Sequence, residues 1–236
     1  MSREDCSLIK ARLEAGVQVE FGRTREISSS FDNGIIVHEY GHGISLRLVG
    51  GPSTSGCLQS DEEMGEGWSD FFALVVTQQE TDQGGLPRGI ATFLRGESRT
   101  DTGIRRYPYS TDMDINPQVH SHIRYTTRPH DVGEIWASVL WDMYWRFIDI
   151  YGYDSSWEDP TSGNAIAIQL VMDGMKLQIC DATLTQARDA ILEADELNFF
   201  GMHKCMIWEV FARRGLGVDA FGGDLIIRYD LSLIHI

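Results

Sequence analysis

His38-Glu39-Tyr40-Gly41-His42 constrains this chain more than any other stretch. The pattern is HExxH, set between the apolar runs Gly34-Ile35-Ile36-Val37 and Ile44-Ser45-Leu46. On an α-helix each residue turns about 100°, so His38 and His42 fall about 40° apart on one face. Two imidazoles one turn apart can reach a single Zn²⁺ at about 2.0–2.1 Å. Glu39 sits beside that face, where a carboxylate that is not a ligand can take a proton from water held by the metal. A helix could carry two surface histidines and a glutamate without function, but two surface histidines fit poorly in an apolar helix. Gly34, Gly41 and Gly43 each cost about 1 kcal/mol against Ala in a helix interior, which predicts close backbone approach.

Such a site needs a third ligand, with a fourth position left to water. A histidine six residues past His42 would be the metzincin pattern, but Leu48 stands there. A carboxylate is the remaining choice. Met64-Gly65-Glu66-Gly67-Trp68-Ser69-Asp70 opens the next apolar helix, Phe71 to Val76. Glu66 and Asp70 are i and i+4, hence on one face. Glu66 is the expected third metal ligand. Asp70 is the expected carboxylate behind a ligand histidine, His38 in the first instance, fixing its tautomer. The bland alternative is two first-turn acids complementing the helix dipole.

The remaining chain reads as mainly α. Asn33 to Leu48 is a helix capped by Asp32 or Asn33. Met64 to Gln79 is the second helix and Arg88 to Leu94 a short one. Ahead of them, Ser7 to Ala15 is a possible helix and Val17 to Phe21 a possible strand. Arg95 to Arg128 lacks apolar periodicity and is long for a structureless loop, which favours a functional role. His120 and His122 within it are expected to be solvated. His130 to Tyr151 carries Val132, Ile135, Trp136, Val139, Leu140, Met143 and Phe147 at helical spacing, with Trp141 and Trp145 as core packing. Gly163 to Gln178, Leu184 to Asn198 and Met202 to Arg214 are the last helices. Arg188-Asp189 and Glu193-Ala194-Asp195 are expected on an exposed face, and Asp61-Glu62-Glu63 on another.

The 236 residues carry a net charge of −15, which argues against nucleic acid and anionic membranes as partners. No run reaches about eighteen apolar residues, so no segment is expected to span a membrane. Met1-Ser2-Arg3-Glu4-Asp5-Cys6 is polar and shows no signal peptide.

Longer motifs carry a resemblance. Asp32 to Ser45, Arg47-Leu48, Gly50-Gly51-Pro52, Cys57-Leu58 and Met64 to Asp70 resemble the fungalysin metallopeptidases (family M36), which are thermolysin-like gluzincins. The likeness continues at Pro108 to Met113, His130-Asp131-Val132-Gly133-Glu134-Ile135-Trp136-Ala137 and Gln186 to Leu192, and ends near Arg213 to Val218. It covers roughly residues 32 to 220. The resemblance implies the helical C-terminal lobe of a thermolysin-like zinc metallopeptidase. Residues 1–31 form a poorly matching N-terminal segment, 32–230 the catalytic lobe and 231–236 an uncertain apolar tail.

On that resemblance the expected function is a zinc-dependent endopeptidase acting on proteins or peptides. Zn²⁺ is held by His38, His42 and Glu66, and Glu39 is the base. His130 starts its helix where the relatives place an oxyanion donor, and that role is carried to it. A tyrosine donor is also expected, with Tyr109 as the candidate, and the carboxylate orienting His130 is not identified. The family is secreted as a proenzyme with an inhibitory propeptide, and its substrate cleft has a second, β-rich wall. Neither is visible here, so the chain is expected to be a fragment lacking its N-terminal half. The alternatives are a non-catalytic zinc-binding helical module and a helical interaction protein without metal. Of the four cysteines, Cys180 and Cys205 are the expected disulfide, while Cys6 and Cys57 are left open.

Overall fold

The computed structural model describes residues 28–126 and 128–222. The expected helix at Ser7 to Ala15, the strand at Val17 to Phe21, Cys6 and the 231–236 tail lie outside the described residues. Within them the protein is mainly helical and no strand forms. Two isolated bridges occur, Arg88 with Tyr109 and Ile90 with Gly103.

Helix α1 spans Asn33–Leu48. Asp32 is its cap: Oδ1 accepts from the Gly34 and Ile35 amides at 2.9 and 3.2 Å, satisfying two of the orphan donors at the helix start. Its other oxygen accepts from the Leu94 amide at 2.9 Å, tying the short α3 (Thr92–Arg95) to the same point. Between them α2 spans Gly65–Val76 and is buried from Gly67 through Val75. The expected helix at Arg88 to Leu94 shrinks to α3. Arg88 and Ile90 are drawn into the two bridges instead.

Helix α4, Pro129–Tyr151, is the centre of the fold. Proline in its first turn loses no hydrogen bond that a helix could make there. Residues Val132 through Trp145 are all buried, so the stripe expected from periodicity is a fully enclosed helix. The reason lies in its neighbours: α2, α5 (Gly163–Leu177) and α7 (Lys204–Arg213) all pack on it. Helix α6, Leu184–Phe199, lies on α5, and α1 covers α2. Trp68 and Trp136 meet edge to face with centroids 5.0 Å apart, and Trp141 stacks on Tyr144 at 5.4 Å. Each such pair contributes about 0.5–1.5 kcal/mol beyond its buried area.

Several charged residues expected at the surface are buried, and in each case the structure supplies a partner. Arg188 is 5% exposed because its guanidinium donates to the Leu216 and Gly217 carbonyls at 3.0 and 2.6 Å. Asp195 is fully buried and accepts from the amide and the ring Nδ1 of His203 at 3.0 and 2.6 Å. Glu62 is buried and accepts from the Leu184 amide at 2.8 Å, at the start of α6. His120 is buried rather than solvated, its amide bonded to the Arg214 carbonyl at 2.8 Å.

The disulfide also differs from expectation. Cys180 bonds to Cys57, with α-carbons 4.3 Å apart, and Cys205 is a free, exposed thiol on α7. The loop between α1 and α2 runs along the α5–α6 junction, which brings Cys57 to Cys180. There the Gln59 amide donates to Asp181 Oδ1 at 2.8 Å and the Asp181 amide to the Cys57 carbonyl at 3.0 Å.

Candidate metal centre

Two helix crossings build the site. A β-carbon on Gly67 would lie 2.5 Å from the Gly133 carbonyl oxygen, and one on Gly133 would lie 2.5 Å from the Glu66 β-carbon. Helices α2 and α4 therefore touch backbone to backbone, which sets Glu66 against the start of α4. Gly41 makes the matching crossing of α1 over α2 at Ser69. Of the three glycines that predicted close approach, Gly41 has the tightest contact. A β-carbon on Gly34 would meet Asp32 Oδ1 at 3.1 Å, and one on Gly43 would meet nothing within 4 Å.

The crossings bring His38, His42 and Glu66 together, with one potential ligand atom of each within 4.8 Å of the others. His38 Nε2 lies 3.1 Å from Glu66 Oε2, and His42 Nε2 lies 3.5 Å from Glu66 Oε1. Ligand atoms held tetrahedrally at about 2.0–2.1 Å from one ion are about 3.3–3.4 Å apart. The spacing and the donor set therefore fit a zinc ion. The two histidine rings stand at 89° with centroids 4.8 Å apart.

Behind His38 lies Asp70, fully buried on α2. Its Oδ1 lies 2.7 Å from His38 Nδ1, placed to accept a hydrogen bond from an N–H there, with Nε2 toward Glu66. Arg105 grips the same carboxylate with Nε on Oδ2 at 2.6 Å and Nη2 on Oδ1 at 2.8 Å. The Tyr109 hydroxyl donates to Oδ2. Tyr109 is fully buried, so it does not face the cleft as an oxyanion donor.

Charge follows this layout. Burial opposes ionisation of Asp70, but His38 and Arg105 outweigh it and hold its pKa at about 2. Burial likewise pulls His38 down, while its bonds to Asp70 and Glu66 raise it to about 9. Burial and the neighbouring His38 lower His42. Glu66 is lowered against its burial by the three imidazoles around it. Without metal, a proton on His38 bridges two carboxylates, a place that a cation can take.

Glu39 lies on the exposed side of α1, close enough for its charge to act on His42. His130, on the first turn of α4, is exposed at the rim, with Nε2 3.4 Å from Glu66 Oε1. Its sequence neighbour Asp131 accepts from the Thr126 hydroxyl at 2.8 Å and so serves the preceding turn. A cavity of about 470 Å³ opens beside this turn, lined by Arg106, Tyr107, His122, Tyr125 and Ile135 among others. A larger one, about 820 Å³, lies at the start of α1 between Phe31, Ile36, Val76 and Phe93.

Sequence reasoning missed Arg105 and Glu134. The Glu134 carboxylate on α4 accepts from the Arg106 and Tyr107 amides at 3.1 and 2.8 Å. The segment 105–109 is thus a strap without regular structure, pinned by Glu134 on one side and Asp70 on the other. The length of the aperiodic stretch was its only signal in the residues themselves.

Comparison with known proteins agrees in kind. A model of the fungalysin metallopeptidases (M36) matches residues 21–220. The extracellular metalloproteinase MEP of Leptosphaeria maculans is 44% identical over 201 residues, covering 81% of this chain and 31% of that protein. An extracellular metalloproteinase of Pyrenophora tritici-repentis is 43% identical over 200 residues, 81% of this chain and 30% of its own. The extracellular metalloproteinase mep of Aspergillus fumigatus is 42% identical over 201 residues, with 81% and 31% covered. The chain spans about a third of the length of these curated relatives.

Proposed function

This chain belongs to the fungalysin metallopeptidase family (M36), and from that premise we propose that it hydrolyses peptide bonds as a zinc-dependent endopeptidase. The observation that carries the reading is the convergence of His38, His42 and Glu66 at ligand spacing from two crossing helices. These three residues would hold the metal. Bound zinc would supply a Lewis acid for a peptide carbonyl and a lowered pKa for a water.

The protein's own groups do the rest. Asp70 keeps the His38 proton on Nδ1, so that Nε2 presents its lone pair. Glu39 takes a proton from the attacking water and later gives it to the leaving amine. His130, at the open rim, donates to the oxygen that gains charge as the carbonyl is attacked. Protein or peptide substrates follow from the reaction, and the names of the relatives support export from the cell. A family-type propeptide would act as an inhibitor. Among the described residues no helix is long and apolar enough to cross a membrane.

Elemental analysis and a casein assay test the reading. Purified protein should hold about one zinc per chain, and His42→Ala should hold none. Activity is measured on the chain alone and when supplied with the N-terminal cleft wall expected from the family. Zinc without turnover in either form would favour a non-catalytic metal-binding module. Absence of zinc would remove the metal centre altogether.

A further inference from the structure

The carboxylate of Asp70 offers about four acceptor positions, and all four are used. Oδ1 takes His38 Nδ1 and Arg105 Nη2, while Oδ2 takes Arg105 Nε and the Tyr109 hydroxyl. Arg105 is not committed to Asp70 alone, since its Nη2 also lies 3.4 Å from Glu66 Oε2. Tyr109 has no such division. Burial beside the Asp70 charge raises its pKa well above the usual phenol value, so it remains a donor.

What fixes Tyr109 is separate from the metal ligands. Its amide donates to the Arg88 carbonyl at 2.7 Å, and the Arg88 amide returns a bond to the Tyr109 carbonyl at 2.9 Å. Arg88 in turn grips Asp82 at 2.8 Å and the Thr77 hydroxyl at 2.6 Å, just past the end of α2. The hydroxyl is therefore anchored from the far end of the helix whose first turn carries Glu66.

We propose that Tyr109 is a positioning residue for metal binding: its hydroxyl locks the Asp70 carboxylate, and through it the orientation and tautomer of His38. This rests on reading His38, His42 and Glu66 as the metal ligands. Without the hydroxyl, one buried lone pair on Oδ2 loses its donor. Arg105 is then free to lean toward Glu66, and Asp70 no longer holds His38 at one angle.

The test is Tyr109→Phe in the whole chain, with zinc affinity measured by competition against a chromogenic chelator. Tyr144→Phe is the control. Tyr144 is also fully buried and its hydroxyl also donates to one partner, Gln78 Oε1 at 2.5 Å, two residues past the end of α2, whereas Glu66 lies in that helix's first turn. Zinc affinity should fall about 10–100-fold for Tyr109→Phe, the usual weight of an outer partner of a ligand histidine. It should stay within about twofold for Tyr144→Phe. Equal affinity in Tyr109→Phe and the native protein overturns the proposal, as does an equal loss in both variants. A native protein that takes up no zinc overturns the ligand assignment itself, a different and distinguishable failure. A measurement on the native protein needs no variant: nitrogen-15 NMR of the zinc-loaded chain should show His38 protonated at Nδ1. A metal on His38 Nδ1 would exclude the arrangement.

Discussion

A β-carbon placed on Gly41 would stand 2.6 Å from the α-carbon of Ser69. That contact is why α1 can lie flat on α2, with His38 and His42 on one side of the crossing residue and Glu66 and Asp70 beside it. Helix propensity alone says that Gly41→Ala should stabilise by about 1 kcal/mol. The crossing says the reverse, since overpacking of a close contact costs about 1–3 kcal/mol or more. Gly41→Ala should therefore lower the urea midpoint and weaken zinc uptake. Gly43→Ala, in the same helix with nothing within 4 Å, should raise the midpoint slightly. If the two variants shift in the same direction, the crossing does not control the helix pair.

Glu39→Gln should separate proton transfer from metal binding. Gln has nearly the same shape but is no base at neutral pH. In a form of the protein that cleaves casein, the variant should keep its zinc and lose about 10²–10⁴ in rate. His42→Ala should lose both. A Gln variant as active as the native enzyme would show that Glu39 is not the base.

The Cys57–Cys180 bond closes a ring with a sequence separation of 123 residues. Removing it by Cys57→Ala should cost about 2–5 kcal/mol in denaturant unfolding. Alkylation of the unreduced protein, followed by peptide mapping, should label Cys205 and recover Cys57 and Cys180 in one linked peptide. A linked Cys180–Cys205 peptide would contradict the fold described above.

Arg214 is fully buried, yet it holds Asp142 by two bonds of 2.7 and 2.9 Å and caps the carbonyls of Ser110, Asn116 and Gln118. Arg214→Met leaves Asp142 buried beside only the more distant Arg213. The expected loss is about 3–5 kcal/mol. Hydrogen exchange should rise in residues 110–120 before it rises in α4. Equal stability of the variant would mean that the carbonyl cage is not a stabilising element.

What the residues disclosed was local. The turn-wise spacing of His38 and His42, the i, i+4 pair Glu66 and Asp70, the Asp32 cap and the apolar periodicity of α4 all depend on neighbours within one or two turns. The hidden part depends on chain closure. Arg105 and Tyr109 reach Asp70 across 35 and 39 positions, and no local pattern marks such a meeting. The pairing of Cys180 with Cys57 rather than Cys205 likewise follows from which loop lies over the α5–α6 junction. Arg188, Asp195, Glu62 and His120 look like surface residues by type. Arg188, Glu62 and His120 bond backbone groups far along the chain and Asp195 bonds the His203 amide and ring, which a periodicity count cannot register.

The disulfide ring has a further meaning for what a cut in the backbone would do. Glu66, Arg105, Tyr109 and His130 all lie between Cys57 and Cys180, as does the exposed stretch from Ser155 to Thr161. A single cut anywhere in that interval leaves two pieces that remain covalently joined. A cut between Cys57 and Glu66 cannot part the piece bearing His38 and His42 from the piece bearing Glu66, and a cut within Ser155 to Thr161 leaves those residues on one piece with α5 to α7 still tied to it, until the sulfur bridge is reduced.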